Sequence, residues 1–231
     1  MTLALRLLLV GHGRMGRLVE GLAPEYGFQV AGSITGSNAD DRGAWPVADV
    51  AIDFSTADAV PRNARALNAR GVALVIGTTG WQAEEAALRR DLAASEAGVI
   101  SAPNFAIGVN IFLAIAAHSA ELLARRGFSS WIHEAHHAAK KDAPSGTAFA
   151  LQRVLERAGA HPDVSSTRAG YIPGTHTVGF DSPAETITLT HMARDRSAFA
   201  RGALEAARWI HGRRGWFTMH DLLEGHNSGG E

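Results

Sequence analysis

Five short apolar runs recur in the first half of the chain, at residues 5–10, 28–34, 47–54, 72–76 and 99–102. Between several of them apolar positions fall at helical spacing, over 14–23, 57–69 and 82–97. Strands apolar on both faces and separated by amphipathic helices predict a parallel sheet covered on both sides, because each crossover helix buries one face. The predicted strands end in glycine, small or polar residues: Gly11, Thr35, Ser55, Gly77-Thr78-Thr79-Gly80 and Pro103-Asn104. Ligands of open α/β sheets gather at the carboxyl ends of strands, so these ends predict one shared cleft.

After Asn104 the pattern changes. Residues 107–126 read as a long Ala-rich helix, 130–134 as a strand, and a polar cluster runs to Thr147. A helix over 147–158, Gly/Pro-rich turns and a β-rich segment over 175–192 follow, with clear alternation at 185–190. Helices with antiparallel strands behind a parallel domain predict a second, α+β substrate domain. Residues 198–210 return to helical spacing, 219–223 close the pattern, and 226–231 read as a polar, frayed tail. The expected fold class is therefore α/β, a Rossmann-like doubly wound parallel sheet with a second α+β domain. The expected division is a discontinuous dinucleotide-binding domain, 1–106 plus 200–231, around a domain at 107–199. In the alternative, the last segment caps the second domain.

Composition narrows the function classes. The hydrophobic fraction is 46%, the charged fraction 19%, and there are 25 glycines, as in globular α/β proteins. A formal charge of -1 gives no field to gather nucleic acid or an anionic membrane. With no cysteine, disulfides, thiolate metal sites and thiol nucleophiles are excluded. The apolar start lacks the longer run and cleavage site of a signal peptide, and no uninterrupted apolar run reaches membrane-spanning length. A cytoplasmic protein is the expectation.

Gly11-His12-Gly13-Arg14-Met15-Gly16 follows a predicted strand and opens a predicted helix, the context of the dinucleotide fingerprint. The first glycine permits the tight turn, the second a close approach to pyrophosphate, and the third close packing of helix on strand. An acid at the end of the second strand would grip the ribose of NAD. That strand instead ends Ser33-Ile34-Thr35-Gly36-Ser37, and no carboxylate appears before Asp40. Small hydroxyls with Arg14 or Arg42 would receive a 2′-phosphate, which favours NADPH; Asp40 or Asp41 folding back would restore NADH. Gly77-Thr78-Thr79-Gly80 and Ala102-Pro103-Asn104-Phe105 offer hydroxyls, an amide and an aromatic face to the nicotinamide half.

The densest chemistry lies between His133 and Thr147. His133-Glu134-x-x-His137 matches the zinc-hydrolase pattern, which requires a helix, whereas the flanking residues favour a strand. In the other reading His136 or His137 holds a proton near neutral pH and Lys140 adds a cation that donates a proton or anchors a carboxylate. Pro144-Ser145-Gly146-Thr147 then opens a helix whose free N–H groups receive a carboxylate. Together they describe a pocket for a dianionic substrate.

These motifs, with Ile52-Asp53-Phe54-Ser55, Asn104-Phe105-x-x-Gly108-Val109-Asn110, Arg168-Ala169-Gly170 and Gly174-x-His176, resemble those of the 4-hydroxy-tetrahydrodipicolinate reductases, also called dihydrodipicolinate reductases. The most specific run is Glu134-Ala135-His136-His137-x-x-Lys140-x-Asp142-Ala143-Pro144-Ser145-Gly146-Thr147-Ala148. The resemblance spans nearly the whole chain. It implies reduction of 4-hydroxy-tetrahydrodipicolinate to tetrahydrodipicolinate by NADPH or NADH, in the diaminopimelate route to lysine. It implies that His136 is the catalytic proton donor and acceptor, that Lys140 is a second proton donor, and that His137, Gly146 and Thr147 bind substrate carboxylates. Cofactor contacts would come from Gly11, His12, Gly13, Arg14, Met15, Gly16, Gly77, Thr78, Thr79, Ala102, Pro103, Asn104 and Phe105, with no metal. It further implies a homotetramer joined through sheets of the second domain. Thr35 replaces an acid common in the family, His133 an apolar strand residue, and the segment at 164–177 is short. The competing readings are a zinc hydrolase and a non-catalytic NADP-sensing regulator.

Overall fold

The computed structural model describes residues 4–225, so the tail at 226–231 lies outside the described residues. In the first half, β1 (Leu5–Val10), α1 (Arg14–Leu22), β2 (Phe28–Ile34), β3 (Val50–Asp53), α2 (Val60–Asn68), β4 (Ala73–Ile76), α3 (Glu85–Asp91) and β5 (Val99–Ser101) follow in turn. The five strands pair in parallel, in the order β5-β4-β3-β1-β2. Leu8, Val10, Ala51, Leu74 and Ile76 bury against Val60, Ala64 and Leu67 of α2 and Leu88 of α3. The order reverses at β1, which lies between β2 and β3, and this switch point is where such sheets bind ligands.

Two helices are shorter than their patterns suggest. The stretch predicted over 82–97 is a 3₁₀ turn, Gln82–Glu84, followed by α3 alone. The Ser95 hydroxyl accepts from Ala97 N (3.0 Å), a local turn that competes with helix in the remainder. Likewise α2 begins at Val60, with Pro61 in its first turn, rather than at residue 57.

The described chain divides into two compact units, one of Ile107–Arg196 and one from the residues on either side of it. The inserted unit contains α4 (Ile107–Leu123), β6 (Ser129–His136), α5 (Gly146–Arg157), β7 (Asp163–Arg168), β8 (Thr175–Asp181) and β9 (Thr186–Met192). Its sheet has the order β7-β6-β8-β9 and is mixed rather than antiparallel: β6 and β7 run parallel, the other pairs antiparallel. Strand β7 lies in the segment read as turns. Its sequence, Asp163-Val164-Ser165-Ser166-Thr167-Arg168, is a polar edge strand with none of the apolar alternation that marks a half-buried one. Ile132, Val178 and Phe180 of the sheet pack on Phe112, Ala116 and Ala120 of α4 and Leu151 and Leu155 of α5. Although no uninterrupted apolar run is that long, α4 with its 3₁₀ continuation to Arg126 is apolar enough on average to cross a membrane. Its small residues instead seat it on this core.

The chain then returns to the first unit as α6 (Ser197–Ile210), β10 (Trp216–Phe217) and α7 (Met219–Leu223). Ala203, Leu204, Ala207 and Ile210 of α6 are fully buried. The helix packs on α1, β3 and β4, covering the sheet face that α2 leaves open. Arg201 pairs with Glu25 (2.8 Å) and Arg208 donates to Tyr26 O (2.7 Å), fastening it to the turn after α1. The two residues of β10 extend the parallel sheet beside β5, an element too short to leave a pattern in sequence.

Candidate functional site

The glycine loop is shaped by what each missing Cβ would meet. Gly11 has φ +87°, and a Cβ there would lie 2.5 Å from Phe54 O; one on Gly16 would overlap the Gly11 carbonyl. A Cβ on Gly13 would meet nothing within 4 Å. Two glycines thus close the β1–α1 turn and the middle one leaves open space. Gly13 is the N-cap of α1, without a side-chain cap, so the helix presents its first N–H groups to that space. The adjoining cleft, of about 580 Å³, is lined by Gly11, Gly13, Thr35, Ser55 and Arg62 among others. These features fit a dinucleotide pyrophosphate.

Other expected cofactor residues divide. His12 lines the cleft, but its Nε2 is engaged by Glu20 (2.8 Å). Arg14 is exposed on α1 and Met15 half-buried; neither lines the cleft. Arg42 does not line it either, whereas Arg62, which the sequence reading did not single out, does and pairs with the exposed Asp40 (3.0 Å). Thr79 is exposed, but Thr78 turns inward to give its hydroxyl to Asp53 Oδ1 (2.8 Å). The same carboxylate oxygen accepts from the Ser55 amide (2.8 Å) and hydroxyl (2.6 Å). Burial raises the Asp53 carboxyl above its ordinary pKa, with these hydrogen bonds from Ser55 and Thr78 opposing it. Asp53 thereby ties the ends of β3 and β4 together. Pro103 is exposed, Ala102 and Phe105 are buried, and Asn104 Oδ1 accepts from Ala106 N (2.8 Å). The aromatic face expected of Phe105 is therefore spent in the core.

A second constellation forms in the inserted unit. Because β6 extends to His136, two residues past its predicted end, Glu134 and His136 share one strand face. The Glu134 side chain is 0% exposed, and its two oxygens meet His136 Nδ1 (2.5 Å) and Arg168 Nη2 (2.7 Å). From β8, directly opposite Glu134, His176 sets its ring edge-on to His136 at 5.1 Å and meets the Ser145 hydroxyl through Nε2 (2.9 Å). Ser145 is also the N-cap of α5, accepting from Ala148 N (3.2 Å). Gly146 and Thr147, the expected carboxylate seat, form the first helical turn. Lys140 pairs with Asp142 (2.8 Å), and His137 is exposed.

The electrostatics follow from burial and pairing. Burial alone would raise Glu134, but hydrogen bonds from Arg168, Ser166 and His136 prevail and hold it at about 2. Burial lowers His136, opposed by Glu134. Burial, with His136 beside it, lowers His176 to about 4. The site holds one firm carboxylate, a cationic guanidinium and two imidazoles that prefer neutrality. In sequence Arg168, His176 and Ser145 stand out only as parts of motifs; their convergence depends on strand pairings that sequence spacing does not reveal.

The zinc-hydrolase reading fails on this geometry. Its motif lies on β6, where alternation sends His133 to the opposite face to meet Ser165 Oγ (2.9 Å). Glu134, His136 and His176 do place three ligand-type atoms within 4.8 Å of one another. A cation held there by Glu134 Oε2 and the imidazoles would have to break the His136 Nδ1 hydrogen bond to that oxygen.

Comparisons with known proteins agree along the chain. Family models described as "Dihydrodipicolinate reductase, N-terminus" and "Dihydrodipicolinate reductase, C-terminus" match residues 5–105 and 108–223. A 4-hydroxy-tetrahydrodipicolinate reductase of Stenotrophomonas maltophilia is 40% identical over 240 residues, covering 95% of this chain and 98% of its own. The enzyme of the same description from Archaeoglobus fulgidus is 37% identical over 251 residues, covering 92% and 96%. In fold, the chain is similar to a dipicolinate-bound dihydrodipicolinate reductase from Paenisporosarcina sp. TG-14, with TM-score 0.74, 20% identity and coverage of 93% and 97%. With both halves matched and relatives at this identity spanning nearly its full length, the chain belongs to the dihydrodipicolinate reductase family.

Proposed function

We propose that this protein reduces 4-hydroxy-tetrahydrodipicolinate to tetrahydrodipicolinate, with His136 as proton donor. The reading is carried by His136, set on a buried carboxylate in the same unit as the uncapped N–H groups at Gly146 and Thr147. Bound NADPH or NADH would supply the hydride, and with the proton from His136 the substrate's 4-hydroxyl would leave as water. The glycine loop holds the pyrophosphate on the first turn of α1, and Gly77 and Thr79 lie at the neighbouring strand end. Gly146 and Thr147 receive one substrate carboxylate, His137 contributes to its binding, and Lys140 exchanges Asp142 for substrate and serves as a second proton donor. A regulator that only senses NADP has no use for this acid and anion seat.

Purified protein supplied with freshly condensed pyruvate and aspartate semialdehyde is expected to oxidise NAD(P)H, followed by loss of absorbance. His136→Gln should lower kcat by roughly 10²–10⁴-fold while leaving cofactor affinity unchanged. Turnover that survives this substitution overturns the assignment.

The assembly proposed is a cytoplasmic homotetramer. Trp131, His133, Thr177, Thr188 and Thr190 lie on the sheet face away from α4 and α5, and the Trp131 indole covers Gly179. That face suits a second sheet of the same kind. Light scattering should return four times the chain mass.

A further inference from the structure

We infer that Glu134, held as an anion by Arg168, is a positioning residue that fixes His136 as its Nδ1–H tautomer and reserves Nε2 for proton exchange. The inference rests on His136 as proton donor and goes beyond it by assigning each ring nitrogen a task.

The Glu134 carboxylate is 0% exposed, so water cannot replace its partners. An ionised carboxylate only accepts, so with Oε1 taken by the guanidinium, Oε2 requires the proton of His136 Nδ1. The hydrogen bond of the ring is made through Nδ1, and Nε2 faces Gly174. The space beside it is kept by Gly174, where a Cβ would lie 3.0 Å from Nε2.

The charged and titratable groups around the ring come from every neighbouring strand and loop. Glu134 stands on β6, Arg168 on β7, His176 on β8, and Lys140 on the loop before α5. Glu134 alone is anionic and raises the proton affinity of His136; Lys140 and Arg168 lower it. During reaction the imidazolium gives its Nε2 proton to the substrate, the N–H electron pair stays on Nε2, and Nδ1–H remains with Glu134. The carboxylate itself is never protonated.

Glu134→Gln discriminates this role from simple packing. Arg168 still demands an acceptor, so the amide oxygen turns to it and the amide NH₂ turns to His136. Nδ1 must then accept, and the neutral ring carries its proton on Nε2. The expected result is a fall in kcat on the order of 10²-fold with KM for NAD(P)H unchanged. The descending limb of the kcat–pH profile should move to lower pH by about one unit or more, because the group that sustained the imidazolium is gone.

Nitrogen-15 NMR of histidine-labelled wild-type protein reads the tautomer directly and needs no folded variant: Nδ1 should be the protonated nitrogen of neutral His136. Were His136→Gln active, the proton-donor reading itself would fall. If His136→Gln is inactive but Glu134→Gln keeps the wild-type rate and pH profile, or wild-type His136 carries its proton on Nε2, the positioning role is overturned.

Discussion

At the level of single residues, the glycine loop makes opposed predictions for chemically identical substitutions. Gly16→Ala forces a methyl group into the Gly11 carbonyl and should cost about 2 kcal/mol in denaturant unfolding. Gly13→Ala, with φ -79° and open space around the new methyl, should fold normally yet weaken NADPH binding by roughly tenfold or more in fluorescence titration. Equal destabilisation by both would contradict the division of labour. Arg62→Ala should raise KM for NADPH more than for NADH, since Arg62 is the arginine lining the cleft near Thr35. The loop was legible because its three glycines answer to local geometry between one strand and one helix. The inward turn of Thr78 was not, because it depends on Asp53 on another strand; nor was the burial of Phe105.

At the level of elements, α5 depends on one hydroxyl with two duties. Ser145 caps the helix and supplies the His176 Nε2 contact. Ser145→Ala should cost about 1 kcal/mol for the cap. It should cost a further ~1–3 kcal/mol for a buried histidine then without a partner on either ring nitrogen. KM for the substrate should rise as well, because the same turn is the proposed seat of its carboxylate; unchanged stability would show that neither contact matters. The central strands β1, β3 and β4 of the first sheet were readable because burial on both faces writes continuous apolar runs. Strand β7 was not, since an edge strand rich in Ser and Thr is held by backbone pairing to β6, which composition does not record. This missed strand carries Arg168, and with it went the counter-ion of Glu134.

For the molecule as a whole, pH acts through the buried groups of the inserted unit. The pKa of His176 falls from 6.5 unfolded to about 4 folded, so the unfolded chain binds its proton more readily. The stability it contributes is complete above 6.5 and is lost as pH falls through 4, about 3 kcal/mol in all. Glu134, at about 2 against 4.5, contributes fully above 4.5 and loses that as pH falls through 2. Urea midpoints should therefore decline steadily below 6.5. In His176→Gln the decline between 6.5 and 4 should shrink, while that below 4.5 remains. A wild-type midpoint flat from 6.5 to 4 would contradict the burial of a neutral His176.

The return of the chain as α6 dictates an order of events during synthesis. The first unit begins at the start of the described chain, but one face of its sheet stays bare until Ala203, Leu204, Ala207 and Ile210 have been made. The inserted unit has its own core in Ile107–Arg196 and is complete in sequence before that cover is made. A released chain truncated after Arg196 should accordingly resist protease over the later-made segment and be cut within the earlier one, so that the part translated first is the part that matures last.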